Sequence, residues 1–251
     1  MKAVITAAGK GTRSGLDGKI RKEMLPIYDS EGGRIILRPI LDRIINNLLL
    51  SGIDDVAVVL AHDDQMTPYY ISKEFPKVHI IYQKGQHGFG DAVRCASDFV
   101  NGERFLLLAG DGMLLNLAGF LPGFMSGRSE NRLVLMEVDN PSRYGVAVAR
   151  RTEAHIIVDD VEEKPARPKS NLALAAIYIL GPAVIEDLKT RAENEVELTP
   201  SIKRAILDGR ETDAVIVDRD MWISVGKAEE YCDILKRSLN YAAKAISSRN
   251  S

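Results

Sequence analysis

Four short aliphatic runs, separated by stretches with helical periodicity, set the tightest limit on what this chain can become. Ala3–Ala8, Val56–Ala61, His79–Gln83 and Phe105–Ala109 are five or six residues long and rich in Val, Ile and Leu. That is the pattern of strands covered on both faces. Between the first two, Ile36–Leu50 puts Leu37, Ile40, Leu41, Ile44, Ile45 and Leu48 on one helical stripe, and Asp91–Val100 reads as a second helix. Strand, helix and strand in succession require right-handed crossovers between parallel strands. The expected fold is α/β: a doubly wound, mostly parallel, Rossmann-like sheet with helices on both faces. Its ligands would lie at the carboxyl ends of the strands.

The pattern changes near residue 130. Arg132–Asp139, Tyr144–Arg151, His155–Val161, Leu172–Leu180 and Thr212–Val217 read mostly as strands, with helices expected over Pro182–Ala192, Pro200–Leu207 and Ala228–Ser247. No internal repeat or long linker interrupts the chain. We expect one domain over residues 1–251, with a nucleotide-binding half to about residue 130 and a strand-rich second-substrate half from about 131.

Composition excludes several classes. With 33 Lys+Arg against 35 Asp+Glu, the chain lacks the basic excess of a nucleic-acid binder. No apolar run approaches the ~20 residues of a membrane-spanning helix, and the short apolar start is not expected to act as a signal peptide. Cys95 and Cys232 make neither a disulfide framework nor a CxxC metal site. A soluble cytoplasmic protein without nucleic-acid or membrane partners is expected.

The first strand ends in Ala7-Ala8-Gly9-Lys10-Gly11-Thr12-Arg13. Glycines directly after a strand let backbone N–H groups approach a phosphate chain, where a Cβ would collide. A P-loop is excluded, because Arg13 stands where that motif needs Gly and Ile20 where it needs Ser or Thr. A Rossmann fingerprint is poor as well, with Ser14 in place of the third Gly. On its own the loop is open between a tight turn and a phosphate cradle. The polar stretch Ser14–Arg21 reads as a mobile loop, and it leads into Lys22-Glu23-Met24-Leu25-Pro26.

At this point the sequence resembles the sugar-1-phosphate nucleotidylyltransferases, which include the glucose-1-phosphate uridylyl- and thymidylyltransferases. Their opening is a strand, a G-x-G-T-R loop and then K-x-x-L-P. The resemblance implies that Ala8, Gly9, Gly11, Thr12 and Arg13 bind the nucleotide, with Arg13 and Lys22 holding triphosphate and sugar phosphate. Gln83, followed by His87-Gly88-Phe89-Gly90-Asp91-Ala92, looks like the base-reading segment. There the Gln amide pairs with a uracil or thymine edge, and Gly88 lets backbone approach the base. Asp111, closing Leu106-Leu107-Leu108-Ala109-Gly110, stands where the family has its Mg²⁺-binding Asp.

Arg143-Tyr144-Gly145-Val146 and Glu162-Glu163-Lys164-Pro165 resemble the two sugar-site segments. They imply sugar contacts from Tyr144, Gly145 and Glu163 and a phosphate contact from Lys164. Ala176 occupies a position on the sugar-covering strand where many relatives have Gly, and Glu197-Leu198-Thr199 resembles a short family segment before a helix. One departure stands out. The family's Trp-x-Asp-x-Gly appears as Trp222-Ile223-Ser224-Val225-Gly226, so the usual second metal ligand is Ser224. Asp218, Asp220 or water are the open substitutes. His62, His79, His87 and His155 show no metal-ligand spacing.

The implied reaction joins UTP or dTTP to a hexose 1-phosphate, giving a nucleotide-sugar and pyrophosphate. Arg13, Lys22 and Lys164 would supply positive charge and Asp111 would hold Mg²⁺. Two rivals stay open: a CTP-dependent cytidylyltransferase acting on a non-sugar phosphate, and a weakly catalytic nucleotide-sugar-binding regulatory protein. The motifs name neither the sugar nor the choice between UTP and dTTP. The family is commonly oligomeric, so a homo-oligomer is open, but no interface signal in this sequence is strong enough to fix a stoichiometry.

Overall fold

In the computed structural model the chain is described except for residues 12–14, 17–19, 86, 154, 193–195 and 249–251. The first half contains β1 (Lys2–Ala7), β2 (Pro26–Glu31), β3 (Arg34–Pro39), α1 (Ile40–Leu50), β4 (Val56–Ala61), α2 (Met66–Glu74) and β5 (His79–Gln83). It continues with α3 (Phe89–Cys95), α4 (Ser97–Val100), β6 (Phe105–Ala109), β7 (Gly112–Leu114) and α5 (Leu117–Met125). The second half contains β8 (Asn131–Glu137), β9 (Gly145–Arg151), β10 (Ile156–Glu163), β11 (Leu172–Leu180) and α6 (Pro182–Thr190). It ends with α7 (Thr199–Leu207), β12 (Thr212–Val217), β13 (Trp222–Ser224) and α8 (Ala228–Ser247).

One nine-stranded sheet runs through both halves in the order β5-β4-β1-β6-β11-β8-β12-β10-β9. The four aliphatic runs form its parallel part, with β1 between β4 and β6. Successive strand residues point to opposite faces, so Ala3, Ile5 and Ala7 join one core and Val4 the other. Helices α1, α5 and α8 close the first face, and α3, α6 and α7 the second.

The sheet is mixed, which corrects the expectation of a mostly parallel one. Strand β11 enters between β6 and β8 antiparallel to both, and β9 and β10 form an antiparallel pair. Of the consecutive strands β8 to β11 only β9 and β10 reverse direction; β8 and β9 run the same way, both antiparallel to β11. Among the described residues no helix is long and apolar enough to cross a membrane.

Two helix expectations also change. The stretch Ile36–Leu50 divides at Pro39, which is extended (φ −54°, ψ 146°) and precedes α1. A proline pushes the residue before it out of the helical region, so Ile36–Pro39 extend as β3 instead. Leu37, counted on the helical stripe, is 56% exposed. The β2–β3 hairpin closes on Gly32 and Gly33 at φ 55° and 76°, the positive-φ pair that a tight two-residue hairpin requires. Asp91–Val100 similarly breaks at Ala96 into α3 and α4.

Candidate active site

After β1 the chain builds β4 and β5 on one side, then returns to place β6 on the other. Connections leaving in opposite directions open a crevice at the carboxyl ends of β1 and β6, where α/β sheets bind ligands. Lys22, in a 3-10 turn over Lys22–Met24, and Asp111, just beyond β6, meet there in an ion pair between Nζ and Oδ2. Both are partly buried, with side-chain exposures of 17% and 23%. Gly9 lies beside them: a Cβ at that position would sit 3.7 Å from the Lys22 Nζ. Ala8 is buried and Gly11 takes φ 65°, so the loop after β1 turns tightly. Thr12 and Arg13 lie outside the described residues, as do parts of the loop expected over Ser14–Arg21.

Arg21 ties this loop to the next strand end. It is buried, pairs with Asp63 at 2.6 Å and Asp64 at 3.4 Å, and reaches the Gly9 carbonyl at 3.5 Å. Asp64 in turn accepts the Thr67 N–H at 3.0 Å at the start of α2. Next to Lys22 lies Glu23, 2% exposed, whose Oε2 has no hydrogen-bond partner among the described residues. Burial pushes its carboxyl up to about 8; neighbouring Lys22 opposes that shift and Asp111 reinforces it.

β13 pairs with β7, setting Ser224 opposite Gly112, and Val225 N–H donates to the Asp111 carbonyl at 2.8 Å. Ser224 therefore stands beside Asp111, and both line one cleft with Tyr144, Trp222 and Arg143. Asp218 and Asp220 lie elsewhere. Asp218 accepts the Asp220 N–H at 2.8 Å in the turn before β13, and neither residue lines that cleft. Among the described residues no three His, Cys, Asp or Glu side chains gather as a metal site. One carboxylate with a neighbouring hydroxyl still suits Mg²⁺, which takes one or two carboxylates and fills its shell with water and phosphate oxygens.

Gln83 ends β5 and is buried. Its amide nitrogen donates to Asp91 Oδ2 at 2.6 Å and to the Gly88 carbonyl at 3.3 Å. Gly88 adopts φ 108°, and a Cβ there would stand 2.7 Å from the Val196 carbonyl oxygen. Asp91 N–H donates to that same oxygen at 3.2 Å. The turn before α3 thus packs backbone to backbone against the segment that leads into α7.

That segment also reaches the second half of the site. β9 and β10 set Gly145 directly opposite Glu163, and Lys164 N–H donates to the Tyr144 carbonyl at 3.0 Å. Glu163 accepts from Thr199 Oγ1 at 2.6 Å, and Lys164 Nζ pairs with Glu163 at 2.7 Å and Glu197 at 3.7 Å. A Cβ on Gly145 would approach Leu174 to 2.8 Å and Thr199 Oγ1 to 3.0 Å. Ala176 takes φ 51° where the β11–β8 register shifts, one residue before the partner of Leu108. An alanine in the left-handed region is uncommon and costs of order 1 kcal/mol.

The structure therefore gathers Ala8, Gly9, Lys22 and Asp111 at the crevice, with Tyr144 and Ser224 on the adjoining cleft. It sets Gln83 with Gly88 at β5, and Gly145, Glu163 and Lys164 across β9–β10. Sequence reasoning missed the parts played by Arg21, Glu23, Asp91, Glu197 and Thr199. Glu197 and Thr199 stood in a noted segment without a role. Glu23 and Asp91 each sit among motif residues, but their burial depends on distant chain.

Comparison with known proteins places the chain in a family. The low-salt glycan biosynthesis nucleotidyltransferase Agl11 of Haloferax volcanii is 28% identical, over 92% of this chain and 64% of that protein. The bifunctional protein GlmU of Methanococcus aeolicus is 33% identical, over 93% of this chain and 53% of its own. The chain thus spans little more than half to under two thirds of these curated relatives. The crystal structure of a UDP-glucose pyrophosphorylase complexed with UDP-glucose shares the fold, with TM-score 0.76 at 22% identity, covering 97% of this chain and 98% of that one. A family profile described as Nucleotidyl transferase matches residues 2–240. With nearly its whole length inside that match, the chain belongs to the nucleotidyl transferase family.

Proposed function

We propose that this protein transfers a nucleotidyl group from UTP or dTTP to a hexose 1-phosphate, releasing pyrophosphate and forming a nucleotide-sugar. The observation that carries this reading is the Lys22–Asp111 pair in the crevice between β1 and β6, with Gly9 of the glycine loop beside it. The relatives' names supply the substrate classes: they include a UTP–glucose-1-phosphate uridylyltransferase and glucose-1-phosphate thymidylyltransferases.

The sugar phosphate oxygen is already an anionic nucleophile, so attack on the nucleotide α-phosphorus needs no general base. The obstacle is bringing two polyanions into line while charge grows on departing pyrophosphate. Fixed cations and correct positioning meet that obstacle. In this reading Lys22 and Arg13 neutralise the triphosphate and Lys164 orients the incoming phosphate. Glu163, held by Thr199, accepts sugar hydroxyls, and Gln83 reads the pyrimidine. Asp111, beside the Ser224 hydroxyl, would hold Mg²⁺, which when bound polarises phosphate oxygens as a Lewis acid.

Pyrophosphate release, assayed with four triphosphates against a panel of hexose 1-phosphates, tests the reading. Release confined to UTP or dTTP with a hexose 1-phosphate is the expected result. Release that needs CTP and a non-sugar phosphate, or none with any pair, overturns it. Gly145→Ala gives a local check. Its new methyl presses on Thr199 and Glu163, so KM for sugar phosphate should rise several-fold with kcat changed less. An unaltered KM would remove Gly145 from the sugar site.

A further inference from the structure

Gln83 and Asp91 form a pair whose hydrogen bonds run in one possible direction. The two acceptors around the Gln83 amide, the Asp91 carboxylate and the Gly88 carbonyl, have no hydrogen to offer. The amide must therefore turn its NH₂ towards them. Among the described residues no donor reaches Gln83 Oε1. Asp91 is itself fixed: its side chain is 5% exposed, and its other oxygen, Oδ1, is held by Arg94 Nη2. Arg94 also donates to the Arg191 carbonyl at 3.1 Å. The chain Arg94–Asp91–Gln83 thus sets which end of a symmetric-looking amide is left for a ligand.

We propose that Asp91 is a specificity-determining positioning residue, which orients Gln83 so that only its carbonyl oxygen reads the pyrimidine. This rests on the proposed use of UTP or dTTP. Uracil and thymine carry a hydrogen at ring N3, which a carbonyl oxygen accepts. Cytosine carries a bare acceptor at N3, and two acceptors repel. Selectivity against CTP then comes from a carboxylate that touches no substrate.

Asp91→Asn inverts the arrangement nearly atom for atom. Arg94 keeps the Asn oxygen, so the new NH₂ faces Gln83. Two donors cannot pair, and the Gln83 amide turns over to show its own NH₂ to the base. The ratio of kcat/KM for UTP over CTP should fall roughly 10- to 100-fold, the range for leaving one buried polar group unmatched. Adding Arg94→Met frees the Asn amide to turn back, so the double variant should recover much of the lost ratio. A variant damaged only in structure would lose rate with both nucleotides and keep the ratio.

An unchanged ratio in folded Asp91→Asn overturns the inference. If that variant does not fold, Asp91→Ala decides, because it leaves Gln83 held only by the Gly88 carbonyl and should lower the ratio several-fold; an unchanged ratio again overturns it. Wild-type enzyme that uses CTP as well as UTP would instead defeat the base reading itself, before any variant is made.

Discussion

Asp111→Asn should lower pyrophosphate release by roughly 10²–10³ while leaving the fold intact, and Lys22→Ala should do comparable damage. The estimate is borrowed from the loss of one preorganised electrostatic contact at a developing charge. Neither side chain fills the core. Both stand at the mouth of the crevice, with 17% and 23% of their side chains exposed, so truncation opens no large cavity. The two changes should differ in what rescues them. Asp111→Asn removes the carboxylate that stands beside Ser224, so more Mg²⁺ should restore part of the rate. Lys22→Ala removes a fixed cation from the proposed phosphate site, which added Mg²⁺ should replace poorly.

The same titration separates Ser224. Replacing it by Ala removes a neutral oxygen donor and should be mild. Ser224→Asp adds a second carboxylate beside Asp111 and should lower the Mg²⁺ concentration needed for half-maximal rate. A severe defect in folded Ser224→Ala would show that the hydroxyl does more than complete a shell. Unaltered release by Asp111→Asn, with circular dichroism and melting unchanged, would remove Asp111 from the mechanism altogether.

The parallel half was legible because burial on both faces leaves an unbroken aliphatic run, and each of the four runs became a strand. The antiparallel half was legible as strands but not as a sheet. Both the direction of its strands and their order around β11 depend on long-range pairing. At Ile36–Leu50 the helical stripe overrode a local signal, Pro39, that should have ended it. The Gly32-Gly33 turn was an available hairpin signal that went unused. Motif positions such as Lys22, Asp111 and Glu163 can be read from a sequence because their spacing follows the strands that carry them. The residues that hold them in place cannot. Thr199 meets Glu163 at a sequence separation of 36, and nothing in either segment announces the other. Gln83 and Asp91 are only eight residues apart, yet the turn between them is shaped by the close packing of Gly88 on Val196, more than a hundred positions away.

Glu23 should make the protein's stability fall as pH rises, and Glu23→Gln should abolish that fall. Its carboxyl is buried, with one oxygen unpartnered among the described residues, and burial lifts it from the ordinary 4.5 to about 8. A raised carboxyl binds its proton more tightly in the folded chain than in the unfolded one. The stability it contributes is therefore complete below about pH 4.5 and is lost progressively as pH climbs to about 8. Each unit of that window is worth about 1.4 kcal/mol. Glutamine is neutral in both states, so the variant should match wild type near pH 4 and melt increasingly above it up to pH 9. Function should follow the same window. Ionised Glu23 adds an anion next to Lys22, where a triphosphate is proposed to bind. Nucleotide KM should then rise above pH 8 in wild type and stay flat in Glu23→Gln. Parallel melting curves for the two proteins from pH 4 to 9 would show that the buried carboxyl does not titrate there, and that Lys22 neutralises it throughout.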